Sequence, residues 1–383
     1  MYDIIKKLRY IIGRMHHFIL ACHLGNYIFF ESCPALSDST KSIFDEMVKR
    51  GLNKKYKLIW WVDDRKDKKL PRIKGVLYVD KNTFINAHIF RFFRFRAKCF
   101  ICCNQFLHKE NPRTKSFYIT HGTGIKNIKP KYQAPDDIDF CFVASPSIIE
   151  PMSEQFGAPQ DKMVALGYPR NDDLTNTTID IHGILKREFD KIIVWYPTYR
   201  QHKYLNSFRG ESLPIIHDIE KAERINKHLV EHRIVIVIKP HFAQDISYIK
   251  DTKLSNIVFI DDDFFAKHAI SSYQFVSNCD ALITDYSSIY FDFLLCDKPI
   301  GLVWEDINLY RENPGFAIDL DYYMKAGTKI YNENDLVRFI QDIATGNDTL
   351  KKERNEINSW ANYASDGKNT ERVVDFIIQK ACL

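Results

Sequence analysis

From Asn26 onward, short runs of β-branched and aromatic residues alternate with stretches of helical periodicity. That alternation limits the fold more than any other feature, because strands joined through helices build parallel, doubly wound sheets. The first series of strands reads NYIFFE (26–31), YKLIWWV (56–62), Val76–Val79, 98–103, SFYIT (116–120) and 140–144. Helices are expected over 37–50, with Ser39 as its cap and Gly51 after its end, over 84–95, and from about Ser147. A second series places strands at 192–196, 234–239, 257–260, 281–284 and 299–303. Its helices fall at 216–232 and 287–296, and helix dominates from Asn334 on. The run IVIVIK (234–239) is apolar up to its last residue, so it is expected in the centre of its sheet. Between the two series, residues 168–183 are polar and contain Pro169, Asn171, Asp172, Asp173 and Gly183, which marks a linker. A chain of 383 residues fits two such α/β domains, and two of them facing each other hold ligands in the cleft between.

Composition removes several classes. Lys plus Arg number 54 against 49 Asp plus Glu, and a net charge of +5 is too weak to argue for nucleic acid. No run of about 18 apolar residues is present, so no transmembrane helix is expected, and the N-terminus lacks a clean cleavable signal. The nine cysteines form no repeating frame. Cys99, Cys102 and Cys103 read as buried reduced thiols on a strand, since the C-x2-C half-site has no second ligand pair. Residues 1–24 form a basic amphipathic pattern: Ile4, Ile5, Leu8, Ile11, Ile12 and Met15 recur at helical spacing among Lys6, Lys7, Arg9 and Arg14. Such a segment either lies on an anionic membrane surface or packs on its own domain; both readings stay open.

Four loops follow predicted strands directly, where open α/β sheets bind ligands. In YITHGTGIK, glycines at 122 and 124 let the backbone turn tightly beside His121, Thr123 and Lys126. His121 is the candidate general base, because an imidazole titrates near neutrality; the alternative is a hydrogen-bonded loop histidine. WYPTYR offers Tyr199 and the forked donor of Arg200, which suits phosphate. IKPHF puts Lys239 and His241 after the apolar strand, as a cation and an imidazole for a diphosphate or as bare surface. ALITDYSSIYFDF ends a strand at Thr284 and begins a helix near Ser287 and Ser288. There, Asp285 and the serines either cap the helix or share its N-terminus with an anion. Asp261-Asp262-Asp263 reads as an acidic surface turn rather than a metal triad.

In this order, HGTGIK, YPTYR, KPHF and TDYSSIYFDF resemble the CDP-glycerol glycerophosphotransferases, bacterial enzymes of teichoic acid and capsule synthesis. FES (30–32), GYPRND (167–172) and DGKNTERV (366–373) add to the likeness, which runs over roughly residues 25–375. It implies a GT-B architecture: two facing Rossmann-like domains and a C-terminal helix crossing back to the first. The expected division is an N-terminal segment 1–24, an acceptor domain 25–175, a donor domain 176–350 and crossing helices 351–383. The implied reaction moves a polyol phosphate from CDP-glycerol or CDP-ribitol to a hydroxyl of a lipid-linked polyol phosphate or saccharide, and CMP leaves. The resemblance implies catalytic roles for His121 and His241. It implies donor binding by Tyr199, Arg200, Lys239, Thr284, Asp285, Ser287, Ser288, Lys368 and Asn369. The acceptor loop would contain Gly122, Thr123 and Lys126, and Gly124 stands where many members have proline. No cofactor and no metal is expected, and no nucleic acid. The enzyme would act peripherally at the cytoplasmic face of the membrane; homo-oligomerisation stays open. The competing readings are a GT-B glycosyltransferase using a sugar nucleotide and a non-catalytic module binding anionic polymer at a membrane surface.

Overall fold

The computed structural model describes residues 24–127, 133–175, 177–198, 213–240, 246–250, 252 and 254–383. The basic segment 1–24 therefore lies outside the described residues but for Leu24, as do Tyr199, Arg200 and His241. Among the described residues, thirteen strands form two sheets, and every pairing between named strands is parallel.

The first sheet has the order β3-β2-β1-β4-β5-β6-β7. Its strands are β1 (Tyr27–Glu31), β2 (Lys57–Trp61), β3 (Val76–Val79), β4 (Cys99–Cys102), β5 (Lys115–Ile119), β6 (Phe140–Val143) and β7 (Met163–Ala165). The second runs β10-β9-β8-β11-β12-β13. It contains β8 (Lys191–Trp195), β9 (Ile234–Ile238), β10 (Ile257–Phe259), β11 (Ala281–Thr284), β12 (Ile300–Val303) and β13 (Thr328–Ile330). Both are doubly wound, and the strand order reverses between β1 and β4 and again between β8 and β11. Ligands bind outside the carboxyl ends of the strands at such switch points.

The apolar runs become strands because helices cover both faces. In β8, Ile192 and Val194 enter one core cluster while Ile193 and Trp195 enter another. All five residues of β9 are buried, although it lies one place in from the edge strand β10 rather than at the centre. Helix Asp38–Lys49 buries Ile43, Phe44 and Met47 on one side, next to Val373, Val374 and Ile377 of the C-terminal helix Asn369–Ala381.

Contacts divide the chain into two units. The first holds the residues up to 121, 132–170 and 368–383; the second holds 122–131 and 171–367. The division thus falls at 170/171, and the HGTGIK loop is split between His121 and Gly122. Helix Lys351–Ala361 stays with the second unit, so only the last helix returns to the first.

Other boundaries also move. Helix 37–50 starts at Asp38 after Ser37, and Ser39 is a buried interior residue instead of the cap. The helix expected over 287–296 is a short α-helix, Ile289–Phe293, followed by a 3-10 turn, Leu294–Cys296. The expected linker is ordered: Pro169–Leu174 is a 3-10 helix, and Tyr168, Arg170 and Asn171 are buried. Strands β7 and β13 have three residues each and mixed burial, too little pattern to announce them.

Candidate functional site

In the first unit, β5 ends at Ile119 and Thr120 turns the chain toward His121. The Thr120 hydroxyl donates to Tyr168 Oη at 2.8 Å. Arg170 Nη1 donates to the His121 carbonyl at 2.8 Å and to both Asp38 oxygens at 2.9 and 2.8 Å. The GYPR segment therefore grips the end of β5 from one side, and Asp38 grips Arg170.

His121 is exposed to solvent. Desolvation by the surrounding protein, then the Arg170 charge, hold its pKa below the ordinary value, while Asp38 and a hydrogen bond with the Cys103 backbone oppose this. An unprotonated imidazole open to solvent is what a general base requires. Asp38 is kept below the usual carboxylate range: burial opposes ionisation, but Arg170 and the Ser39 N–H outweigh it.

At the switch point of the same sheet, Glu31 ends β1 with its carboxylate buried. Its Oε2 accepts the backbone N–H groups of Cys103, Asn104 and Gln105 at 3.1, 3.2 and 3.3 Å. Burial raises the Glu31 pKa and these three donors counter it. The Cys102 and Cys103 thiols beside it are buried too, and burial pushes both well above the ordinary thiol value.

In the second unit, the ends of β8 and β11 are tied together at the other switch point. Asp285 Oδ2 accepts the Thr198 N–H at 2.8 Å, and its Oδ1 accepts the Tyr286 N–H at 2.7 Å and the Thr198 hydroxyl. Thr284 Oγ1 donates to the Tyr196 carbonyl at 3.0 Å. Thr284 and Asp285 are both fully buried, so they shape the loop from beneath rather than offering a surface to a ligand. Ser287 and Ser288 are half-buried at the start of the Ile289–Phe293 helix, and Ser288 makes no side-chain cap. Lys239 follows β9; its Nζ lies 3.1 Å from Asp262 Oδ1, on a carboxylate that is 81% exposed. Asp261 caps the helix Asp262–His268 through the Phe264 N–H at 2.9 Å. Among the described residues, no group of three or more His, Cys, Asp or Glu is placed to hold a metal ion.

The acceptor-loop residues divide as the chain does. Gly122 takes φ 135, a conformation that favours glycine. Thr123 is buried, and Lys126 forms an isolated antiparallel bridge with Phe316, its Nζ 5.4 Å from the Tyr310 ring centroid. Lys126 thus belongs with the second unit, not with the expected acceptor domain. Lys368 is exposed before the C-terminal helix. Asn369 is buried, bonded by Arg372 and packed against Gly167 in the first unit.

The sequence reading left Glu31, Asp38, Arg170 and Asn171 without a role. Asn171 Nδ2 donates to Asp292 Oδ1 at 3.0 Å, and Tyr273 Oη donates to Asp292 Oδ2 at 2.6 Å. FES and GYPRND were visible as motifs, but only the strand order puts Glu31 at a switch point.

Known proteins share both sequence and fold. The chain is 24% identical over 336 residues to the teichoic acid glycerol-phosphate primase of Bacillus subtilis (strain 168), covering 80% of each. It is 25% identical over 301 residues to the teichoic acid glycerol-phosphate transferase of Staphylococcus aureus (strain NCTC 8325 / PS 47), covering 70% of this chain and 72% of that one. A teichoic acid ribitol-phosphate primase of Bacillus spizizenii is 23% identical over 242 residues, 62% of this chain and 59% of that one. Among solved structures, the wall teichoic acid polymerase TagF superposes with a TM-score of 0.74 at 18% identity, covering 100% of this chain and 97% of that chain. That likeness shows a GT-B type fold. Residues 14–379 match the CDP-glycerol:poly(glycerophosphate) glycerophosphotransferase family, and the chain belongs to that family.

Proposed function

We propose that this chain transfers glycerol phosphate from CDP-glycerol to a hydroxyl of a lipid-linked acceptor in teichoic acid synthesis. His121 takes the proton from the attacking hydroxyl. The oxygen then bonds to the phosphorus that carries glycerol, the bond to the bridging oxygen breaks, and CMP leaves with that oxygen. Such a transfer needs positioning, charge neutralisation and one base. The observation that supports this best is His121 itself: an imidazole held below its ordinary pKa, open to solvent, at the carboxyl end of a parallel strand.

Lys239 and the loop tied by Asp285 supply the donor side, to which the resemblance adds Arg200 and His241. This reading gives no metal or cofactor a part. The enzyme works at the cytoplasmic face of the membrane, where the acceptor lipid resides, and the basic pattern of residues 1–24 supports a surface contact.

The test is a donor panel. Purified protein is incubated with CDP-glycerol, CDP-ribitol and UDP-sugars together with a lipid-linked acceptor, and product mass is measured. One glycerol phosphate added per acceptor, or a chain of them, with CMP released supports the proposal. Exclusive use of CDP-ribitol moves the donor to ribitol, and UDP release with a sugar product rejects the reading. A His121→Ala protein that folds and turns over normally rejects the assigned base. Flotation with anionic vesicles, with and without residues 1–24, tests the membrane contact.

A further inference from the structure

We propose that Arg170, fixed by Asp38, is a positioning residue for the transfer: it sets where His121 presents its imidazole. The proposal rests on His121 acting as the base. Arg170 is buried and donates from Nη1 both to the Asp38 carboxylate, at 2.9 and 2.8 Å, and to the His121 carbonyl, at 2.8 Å. A hydrogen bond to a residue's carbonyl restrains its peptide plane and so the Cα–Cβ direction from which the ring is presented. One further hydrogen bond and one cation–ring contact stiffen the same turn. Thr120 is held by Tyr168, two residues before Arg170, and the guanidinium carbon lies 5.5 Å from the Tyr168 ring centroid.

The start of the first helix is shaped for this contact. Asp38 has φ 57, in the left-handed region, and its Oδ1 also accepts the Ser39 N–H. A backbone held in that region by tertiary contacts is common where a side chain has been aimed. The charged groups around the ring are Arg170 and Asp38, which oppose each other on the imidazole. The Cys103 backbone also bonds to His121, and the Cys103 thiol senses Asp38, Arg170 and Glu31. Removing Arg170 takes away a like charge that disfavours the protonated ring, which moves the His121 midpoint upward.

The experiment uses the full chain with CDP-glycerol and a lipid-linked glycerol phosphate, and follows the His121 titration by NMR, assigned through His121→Asn. Arg170→Gln is expected to lower kcat by about 10–100-fold with the CDP-glycerol KM within about twofold, because small misplacements of a reacting group have effects of that size. The same change is expected to move the His121 midpoint upward. Arg170→Lys keeps the charge, so it is expected to keep the midpoint and recover part of kcat. Melting curves of both variants separate these effects from unfolding; if the Gln variant does not fold, the Lys variant carries the kcat reading. The proposal is overturned if kcat stays within about twofold of the parent in both variants, if the loss is wholly in KM, or if the midpoint does not move in a folded Arg170→Gln protein. Normal turnover by His121→Ala instead defeats the base reading, whatever Arg170→Gln does to the midpoint.

Discussion

Asp285 accepts the backbone N–H of Thr198 at 2.8 Å, which ties the end of β8 to the end of β11 across the switch point of the second sheet. The carboxylate is fully buried and also takes the Tyr286 N–H and the Thr198 hydroxyl. Hydrogen bonds to a charged acceptor contribute about 1.5–3 kcal/mol each, and the loss of one partner leaves buried donors unmet. Asp285→Ala is therefore expected to lower stability by about 2–4 kcal/mol and to raise the CDP-glycerol KM, through a loosened WYPT turn. Denaturant melts and steady-state kinetics check this; an unchanged melt would show that the tie carries no energy.

The pH profile follows from the direction of the His121 shift. Its folded pKa lies below the ordinary 6.5, and the base form is the unprotonated ring. The rate is thus expected to hold its plateau from neutrality down past 6.5 and to fall only below it. For stability, the unfolded chain takes up the proton more readily than the folded one. That contribution is complete above the unfolded value and is lost as pH falls toward the folded one. An acid limb in kcat/KM centred above 6.5 would contradict the shift.

The strands were legible where burial on both faces demanded unbroken apolar runs. Val76–Val79 and Ala281–Thr284 coincide with expectation to the residue. The three-residue strand β13 was not, because only Ile330 of TKI is buried and three residues are too few to show a period. Loops after strands were found by the same rule, so His121 and Thr284-Asp285 stand where the sequence put them, at strand ends. What stayed hidden was pairing over distance. Asp38 and Arg170 are 132 positions apart, Glu31 and Cys103 are 72 apart, and nothing local in either segment announces the partner. The domain boundary was legible only to within a few residues. The polar segment 168–183 reads as a linker, yet Tyr168, Arg170 and Asn171 are polar because their side chains bond inside the units on either side of the break.

Gly167 gives a stability prediction with an internal control. It has φ 83, and a Cβ there would overlap the buried Asn369 amide. Gly346 has φ 71 with no atom near its missing Cβ. Both alanine variants bear the left-handed backbone, at roughly 1 kcal/mol. Only Gly167→Ala also displaces Asn369 at the head of the C-terminal helix, adding about 1–3 kcal/mol of overpacking. Thermal melts are expected to rank Gly167→Ala well below Gly346→Ala, and equal losses would mean that the Asn369 contact yields freely.

Lys239 supplies the last prediction. Its ammonium group lies 3.1 Å from a carboxylate oxygen of Asp262, whose side chain is 81% exposed. An ion pair with so exposed a partner contributes little, about 0–1 kcal/mol, and a diphosphate can displace it. Asp262→Asn is expected to leave the melt nearly unchanged and the CDP-glycerol KM the same or lower, since the carboxylate that competes for the cation is then gone. If Lys239 holds the donor diphosphate as proposed, Lys239→Met raises that KM through the loss of one positive charge. The two variants together distinguish a donor-binding cation from a helix tie. If Asp262→Asn destabilises the protein as much as Lys239→Met while KM is unaffected by either, the pair holds the helix Asp262–His268 to β9 and takes no part in donor binding. Dialysis against EDTA is expected to leave the parent rate intact, with the charge on CDP-glycerol met by side chains; a loss restored by added divalent cation would assign that charge to a metal ion.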